Sequence, residues 1–272
     1  MTHYAGRAGT VYATALLLDT CEAAWDNGTN GVASLETSSA LVKQGAGSME
    51  CATTGGAADD IMVYETMTLG AANITTYTFM MMWARSTKDV VAADLRVGIG
   101  VAASGATPTT IVDLPVLVAD TWKFCHCPVV SGKPFSATAA GTILGLEYNA
   151  NYQASSIYLD QIQAVKATSG IRNWTLDYTV DTVEVTDFAN AGVATYLPTV
   201  SRWGGTFEGL KDGIPLTIGA QIAIELGETA TGTQAWIGSA VLTGVTSNTG
   251  FDGVVTYSYT YQGTDILMVP TA

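Results

Sequence analysis

The chain has 272 residues, room for one large or two modest domains that each bury a core, and it carries a net charge of −13 with 29 glycines. Only 13% of its residues are charged, which favours compact β structure with many turns and argues against disorder. The acidic balance repels phosphate, which argues against sequence-specific nucleic-acid binding, and no apolar run approaches the roughly 18 residues that span a bilayer, so no membrane partner is expected.

The opening MTHYAGRAGT has no apolar run behind a basic start, so no secretory signal is expected and the Asn-X-Thr triplets at Asn27, Asn73 and Asn173 read as incidental. GRAGTVYA (6–13) reads as a short first strand. Residues 15–166 then change character. LLLDTCEAAWDNG (16–28) leads into a Gly-rich strand pair around VKQGAGSMECATT (42–54). YTFMMMWARS (77–86), LRVGIGV (95–101), DTWKFCHCPV (120–129), TILGLEYN (142–149) and SIYLDQIQAV (156–165) follow. Strands at short spacing with turn signals between them predict a sandwich.

From Trp174 to Leu267 the pattern is alternation with period 2. WTLDYTVDTVEVTDF (174–188) puts Leu176, Tyr178 and Val180 on one face, and Val183 and Val185 continue the apolar side beyond a shift in phase. QIAIEL (221–226), AWIGSAVLTGV (235–245) and VVTYSYTYQG (254–263) repeat it. Strand side chains alternate between faces, so each of these strands is expected to have one buried and one exposed side, in a sheet that packs, pairs or polymerises. In the last strand Val255, Tyr257, Tyr259 and Tyr261 share one face, with Val254, Thr256, Ser258 and Thr260 on the other. Thr256, Tyr257, Ser258 and Tyr259 are the candidate assembly residues.

Charge is acidic throughout, 8 Lys and Arg against 14 Asp and Glu in residues 1–166 and 3 against 10 in 167–272. Cys125-His126-Cys127 lacks the second ligand pair of a zinc site. In a strand the two thiols point to one face and His126 to the other. Free buried thiols are the leading expectation, with a Cys21–Cys51 disulfide left open.

The ordered series GRAGTVYA, WTLDYTVDTVEVTDF, YLPTVSRWGGTFEGLKDG (196–213), IGSAVLTGV (237–245) and GVVTYSYTYQGTDIL (253–267) resembles the tail-tube proteins of long-tailed bacteriophages. Tube subunits of that family carry a helix after the Trp-Gly strand, where DGIPLTIG (212–219) here makes a direct connection. Residues 15–166 in turn resemble carbohydrate-binding jelly-roll modules. Glu22 and Trp25, Gly45 to Ser48, Trp122 and Tyr158 to Ile162 occur in the order of that family's elements. Together the two resemblances imply an all-β protein. Residues 1–14 plus 167–272 would form a tail-tube-like β-sandwich or barrel, and 15–166 an inserted jelly-roll β-sandwich.

The jelly-roll resemblance also implies a structural calcium held by Glu22 and Asp160, helped by backbone carbonyls near Gly45. Calcium takes six to eight oxygens, which two carboxylates, carbonyls and water can supply. The alternative is that Asp160 hydrogen-bonds a loop. A glycan platform would draw on Trp25, Tyr64, Trp83, Tyr148 and Tyr152, although aromatics in a sandwich are more often core.

Nothing in the sequence assembles catalytic chemistry. The two histidines, His3 and His126, sit in no site motif, and there is no G-x-S-x-G, P-loop or H-E-x-x-H. Asp59-Asp60 with Glu65 could flank a glycosidic bond, but an acidic loop beside two glycines is the plainer reading. The expectation is a non-enzymatic virion protein made in the host cytoplasm, a tail-tube subunit that self-assembles through its tube-like domain and displays the jelly roll on the exterior. Its partners would be copies of itself and other phage virion proteins, of the tail or the major capsid. A capsid decoration (cement) protein is the alternative and a carbohydrate-binding module with a host glycan the third reading.

Overall fold

The computed structural model describes residues 8–27, 32–43, 45–54, 60–67, 74–100, 108–135, 142–149, 153–168, 170–185, 193–210, 215–227, 235–249, 255–264, 267 and 269. Every regular element among them is a β-strand, and every pairing is antiparallel. The all-β class follows from the alternation and from the wealth of Val, Thr and aromatic residues, which suit a pleated, half-buried surface. The chain divides into two compact units, Met1–Thr14 with Ala167–Ala272, and Ala15–Lys166. The chain crosses between them inside two strands, β1 (Ala8–Asp19) and β11 (Ser155–Thr168). The opening strand thus runs on past residue 13.

In the second unit, β3 (Val32–Ser38), β4 (Ser48–Thr53), β11, β6 (Phe79–Ser86) and β9 (Lys123–Pro128) pair in that order. The facing sheet orders β2 (Asp26–Asn27), β5 (Asp60–Met67), β10 (Thr142–Tyr148), β7 (Leu95–Ile99) and β8 (Thr110–Asp113). Alternate residues from both sheets, including Met49, Met80, Met82, Ile157 and Leu159 from one and Met62, Val97, Leu144 and Leu146 from the other, fill one core. This is a β-sandwich. Cys21, Cys51, Cys125 and Cys127 are all free thiols in that core. Burial raises the Cys21 thiol and pushes Cys51 up to about 12, so these groups stay protonated and unreactive.

In the first unit, β12 (Ile171–Glu184), β13 (Tyr196–Leu210), β16 (Val255–Gly263), β15 (Ala235–Thr249), β14 (Gln221–Gly227) and β1 form one antiparallel sheet in that order. Trp203, Phe207, Tyr259 and Tyr261 from β13 and β16 share a core on one face of the sheet with Leu242 from β15, Ile224 and Leu226 from β14 and Val11 from β1. Phe207 stacks on Tyr259 with ring centroids 4.9 Å apart, and Trp203 meets Tyr261 edge-on at 6.2 Å.

Tyr261 does more than fill space. Its hydroxyl donates to the Thr175 carbonyl at 2.7 Å, tying β16 to β12 across the intervening β13. The bond passes over Gly205, where an added Cβ would meet the Thr175 carbonyl oxygen and lie 2.7 Å from the Tyr261 hydroxyl. Gly205→Ala is therefore expected to cost about 1–3 kcal/mol through overpacking. Tyr261→Phe should cost about 1 kcal/mol through the lost hydrogen bond. Urea titration followed by circular dichroism reads both, and an alanine variant as stable as the parent contradicts this packing.

Candidate assembly surface

The four candidate assembly residues lie on β16, which pairs with β13 on one side and β15 on the other. Thr256 lies opposite both Leu210 and Asn248, and Tyr259 opposite both Phe207 and Val245. This strand has no free backbone edge along those residues. Tyr259 is buried in the core and its hydroxyl accepts the Leu216 N–H at 3.2 Å, with burial raising the phenol above its ordinary value. Tyr257 is half-buried and touches Tyr259, with ring centroids 6.0 Å apart. Thr256 and Ser258 are half-buried on the opposite face. The tyrosine row is thus bound up with the subunit's own core.

The uncovered surface lies elsewhere. At the end of this unit's sheet, β12 pairs only with β13 among the described residues. Beyond Leu176 and Trp203 both strands are exposed at every position, from Asp177 to Glu184 and from Tyr196 to Arg202. They form a two-stranded arm, extended by the Val185 N–H donating to the Thr195 carbonyl at 2.8 Å. Its register explains why the apolar stripe fails to stay on one side. Val180 pairs with Ser201 and Thr182 with Pro198, so β12 advances two residues where β13 advances three. The extra residue sits in β13, a β-bulge, and β12 alternates without interruption from Trp174 to Glu184. Tyr178 and Val180 consequently occupy one face and Val183 the other, rather than continuing a single apolar side.

The exposure is large for such residues: Val183 52%, Tyr196 56%, Leu197 55% and Val200 55%. Val183 and Leu197 are register partners. An isolated two-stranded ribbon is at best marginally stable in water, and this one bears apolar groups on both faces. At its root the inner face opens into a hollow of about 300 Å³ lined by Tyr178, Trp203, Gly263 and Leu267. One exposed ion pair, Arg202 to Asp181 at 2.8 Å, bridges the two strands. An exposed pair of this kind adds little stability. The arm is what the sequence reading missed, and its signal was present: apolar residues in both phases of the 174–188 alternation.

In the sandwich unit, Glu22 is exposed and its Oε1 accepts the Ala46 N–H at 3.1 Å. Asp160 is fully buried and its Oδ2 accepts the Lys43 N–H at 2.8 Å. Both acids thus reach the connection between β3 and β4. Among the described residues no group of three or more His, Cys, Asp or Glu side chains is placed to hold a metal ion. Of the aromatics considered for a glycan platform, Trp25, Trp83 and Tyr148 are buried and Tyr64 is half-buried, while Tyr152 lies outside the described residues. Asp59 and His3 also lie outside them. Glu65 on β5 has its carboxyl raised above the usual range, first by burial and then by Asp19 and Asp26.

Cys125 and Cys127 face the core, and His126, between them, turns to the other side and stacks on Phe79 with ring centroids 4.4 Å apart. Burial pushes the His126 imidazole down to about 4. No family model and no curated protein matches this sequence.

The His126 shift makes a pH prediction. The folded value lies below the unfolded value of about 6.5, so between the two the unfolded chain binds the extra proton. Stability contributed by neutral His126 is present above about pH 6.5 and is lost as pH falls toward 4, by at most about 3 kcal/mol. Denaturant titrations at stepped pH should show a shallower acid loss for His126→Leu than for the parent. Parallel pH profiles contradict the assignment.

Proposed function

We propose that this chain is a non-enzymatic structural protein of a bacteriophage virion, a tail-tube subunit that self-assembles through the unit made of residues 1–14 and 167–272. The sandwich unit is its decoration. One observation carries the reading: the β12–β13 arm presents Val183, Tyr196, Leu197 and Val200 exposed on a ribbon that no other described element covers. Burial of apolar surface is worth roughly 25 cal/mol per Å², and obligate interfaces commonly cover 2,000 Å² or more. A subunit that leaves such a ribbon bare is stabilised when a neighbouring copy covers it. Head-to-tail contacts of this kind close into rings or extend into tubes.

The acidic balance fits the same role, since the wall of a conduit for nucleic acid must not hold its cargo. A capsid decoration protein is the second reading. It is favoured by the connection between β13 and β14, where residues 215–220 contain no helix of the kind tube subunits carry.

Two measurements test this. Antibody label on negatively stained particles should run along the tail; label over the head supports the cement role, and absence from particles overturns both. The arm is tested in the purified chain with Val183→Asp and Leu197→Asp. Exposed substitutions usually change stability by no more than about 0.5 kcal/mol, so both variants should stay folded. Sedimentation should show self-association weakened at least tenfold, about 1.4 kcal/mol. Variants that assemble like the parent contradict an arm interface.

A further inference from the structure

Glu22 and Asp160 meet the same stretch of chain from two directions, and the orientation of its peptide units decides what they do there. Among the described residues there are no cis peptide bonds. In a trans peptide unit the C=O and N–H point in opposite directions. The Gly45 carbonyl shares its unit with the Ala46 N–H that donates to Glu22, so it points away from Glu22. The Val42 carbonyl, sharing its unit with the Lys43 N–H, likewise points away from Asp160. A calcium site needs carbonyl and carboxylate oxygens to converge on one point. Here peptide N–H donors occupy Glu22 Oε1 and Asp160 Oδ2, and the carbonyls of those same peptide units turn away from the acids. The residues do not fit the ion.

What they fit is a clamp. Gly45 has φ +73°, and a Cβ there would collide with Glu22 Oε1, so glycine is what lets the carboxylate lie against the backbone. Ser48 Oγ donates to the Leu41 carbonyl at 2.6 Å, and Ser38 Oγ accepts the Leu41 N–H at 3.2 Å, fastening the start of the same turn. The fastened chain carries Lys43, whose Nζ lies 4.6 Å from the centroid of Trp83. Trp83 is buried on the sheet face opposite the sandwich core, its ring against Phe124 at 5.0 Å, and its buried Nε1 has no hydrogen-bond partner. A cation over an indole face is favourable, and the lysine stem shields the ring from water.

We propose that Glu22 and Asp160 form a metal-independent clamp that locks the β3–β4 connection and seats Lys43 on Trp83. The acids substitute for an ion, and the lysine closes the aromatic face that a sugar-binding platform would have to leave open.

The test is thermal unfolding of the full chain in calcium and in excess EDTA, for the parent, Asp160→Asn and Asp160→Ala. Asparagine keeps a carbonyl oxygen for the Lys43 N–H but removes a negative charge and bidentate ligation, which weakens a calcium site. The clamp gives the same melting temperature in calcium and EDTA, an asparagine variant close to the parent, and an alanine variant several degrees lower. A melting temperature that rises with calcium in the parent overturns it. So does an asparagine variant that falls as far as alanine. Should Asp160→Ala fail to fold, Glu22→Gln against Glu22→Ala at the exposed end makes the same comparison.

Discussion

Every strand presents two faces, and each apolar face needs something laid over it. That constraint organises both units of this protein. In the sandwich unit two sheets cover one another, and the alternating residues Met80, Met82, Ile157 and Leu159 meet Met62, Val97 and Leu144. In the other unit one face of a single sheet gathers Trp203 and Phe207 with Val11 and Ile224 into one core, with Leu216 and Leu267 from outside the strands packed on it. That core stops at Trp203. Beyond it the β12–β13 pair continues with no layer over it among the described residues, and the constraint passes from the subunit to whatever packs against it.

Small residues set how closely these layers approach. Gly205 leaves the gap through which Tyr261 reaches the Thr175 carbonyl, and Gly263 lies directly under the Trp203 ring. Together they bring aromatic side chains of β13 and β16 against the backbone, holding the root of the arm firm while its outer half stays bare. Charge works on the arm in a different sense. Asp177, Asp181 and Glu184 lie along β12, at the edge of the sheet, and Arg202 on β13 pairs with Asp181. An antiparallel pairing of two such edges about the middle of the arm sets acid against acid, which is destabilising, and edge charges are a common guard against that contact.

The all-β class was legible because alternation, β-branched residues and turn residues all agreed, and most strand positions fell within a few residues of those expected. Which aromatics line a core was much less so. Tyr259 reads the same in sequence whether it faces a neighbour or Phe207, and only the pairing of β13 with β16 sets it opposite Phe207. The apolar phase change after Val180 read as a shift in phase that kept a single apolar side. The bulge lies in the partner strand, where a one-residue excess between Pro198 and Ser201 leaves no local mark. For Glu22 and Asp160 the spacing was visible but the direction of the Gly45 and Val42 carbonyls was not. Peptide orientation depends on φ and ψ at each residue, and sequence constrains those weakly.

The central claim is that the arm is completed by another copy of the chain. Hydrogen exchange measured across a range of protein concentrations tests it directly, since amides covered on association exchange more slowly as association proceeds. The account predicts that amides in 177–185 and 193–202 gain protection with concentration, while those of the sandwich core, such as Met80 and Leu159, keep the same rates throughout. Arm amides that exchange at one fixed rate at every concentration, in samples that do associate, would contradict it.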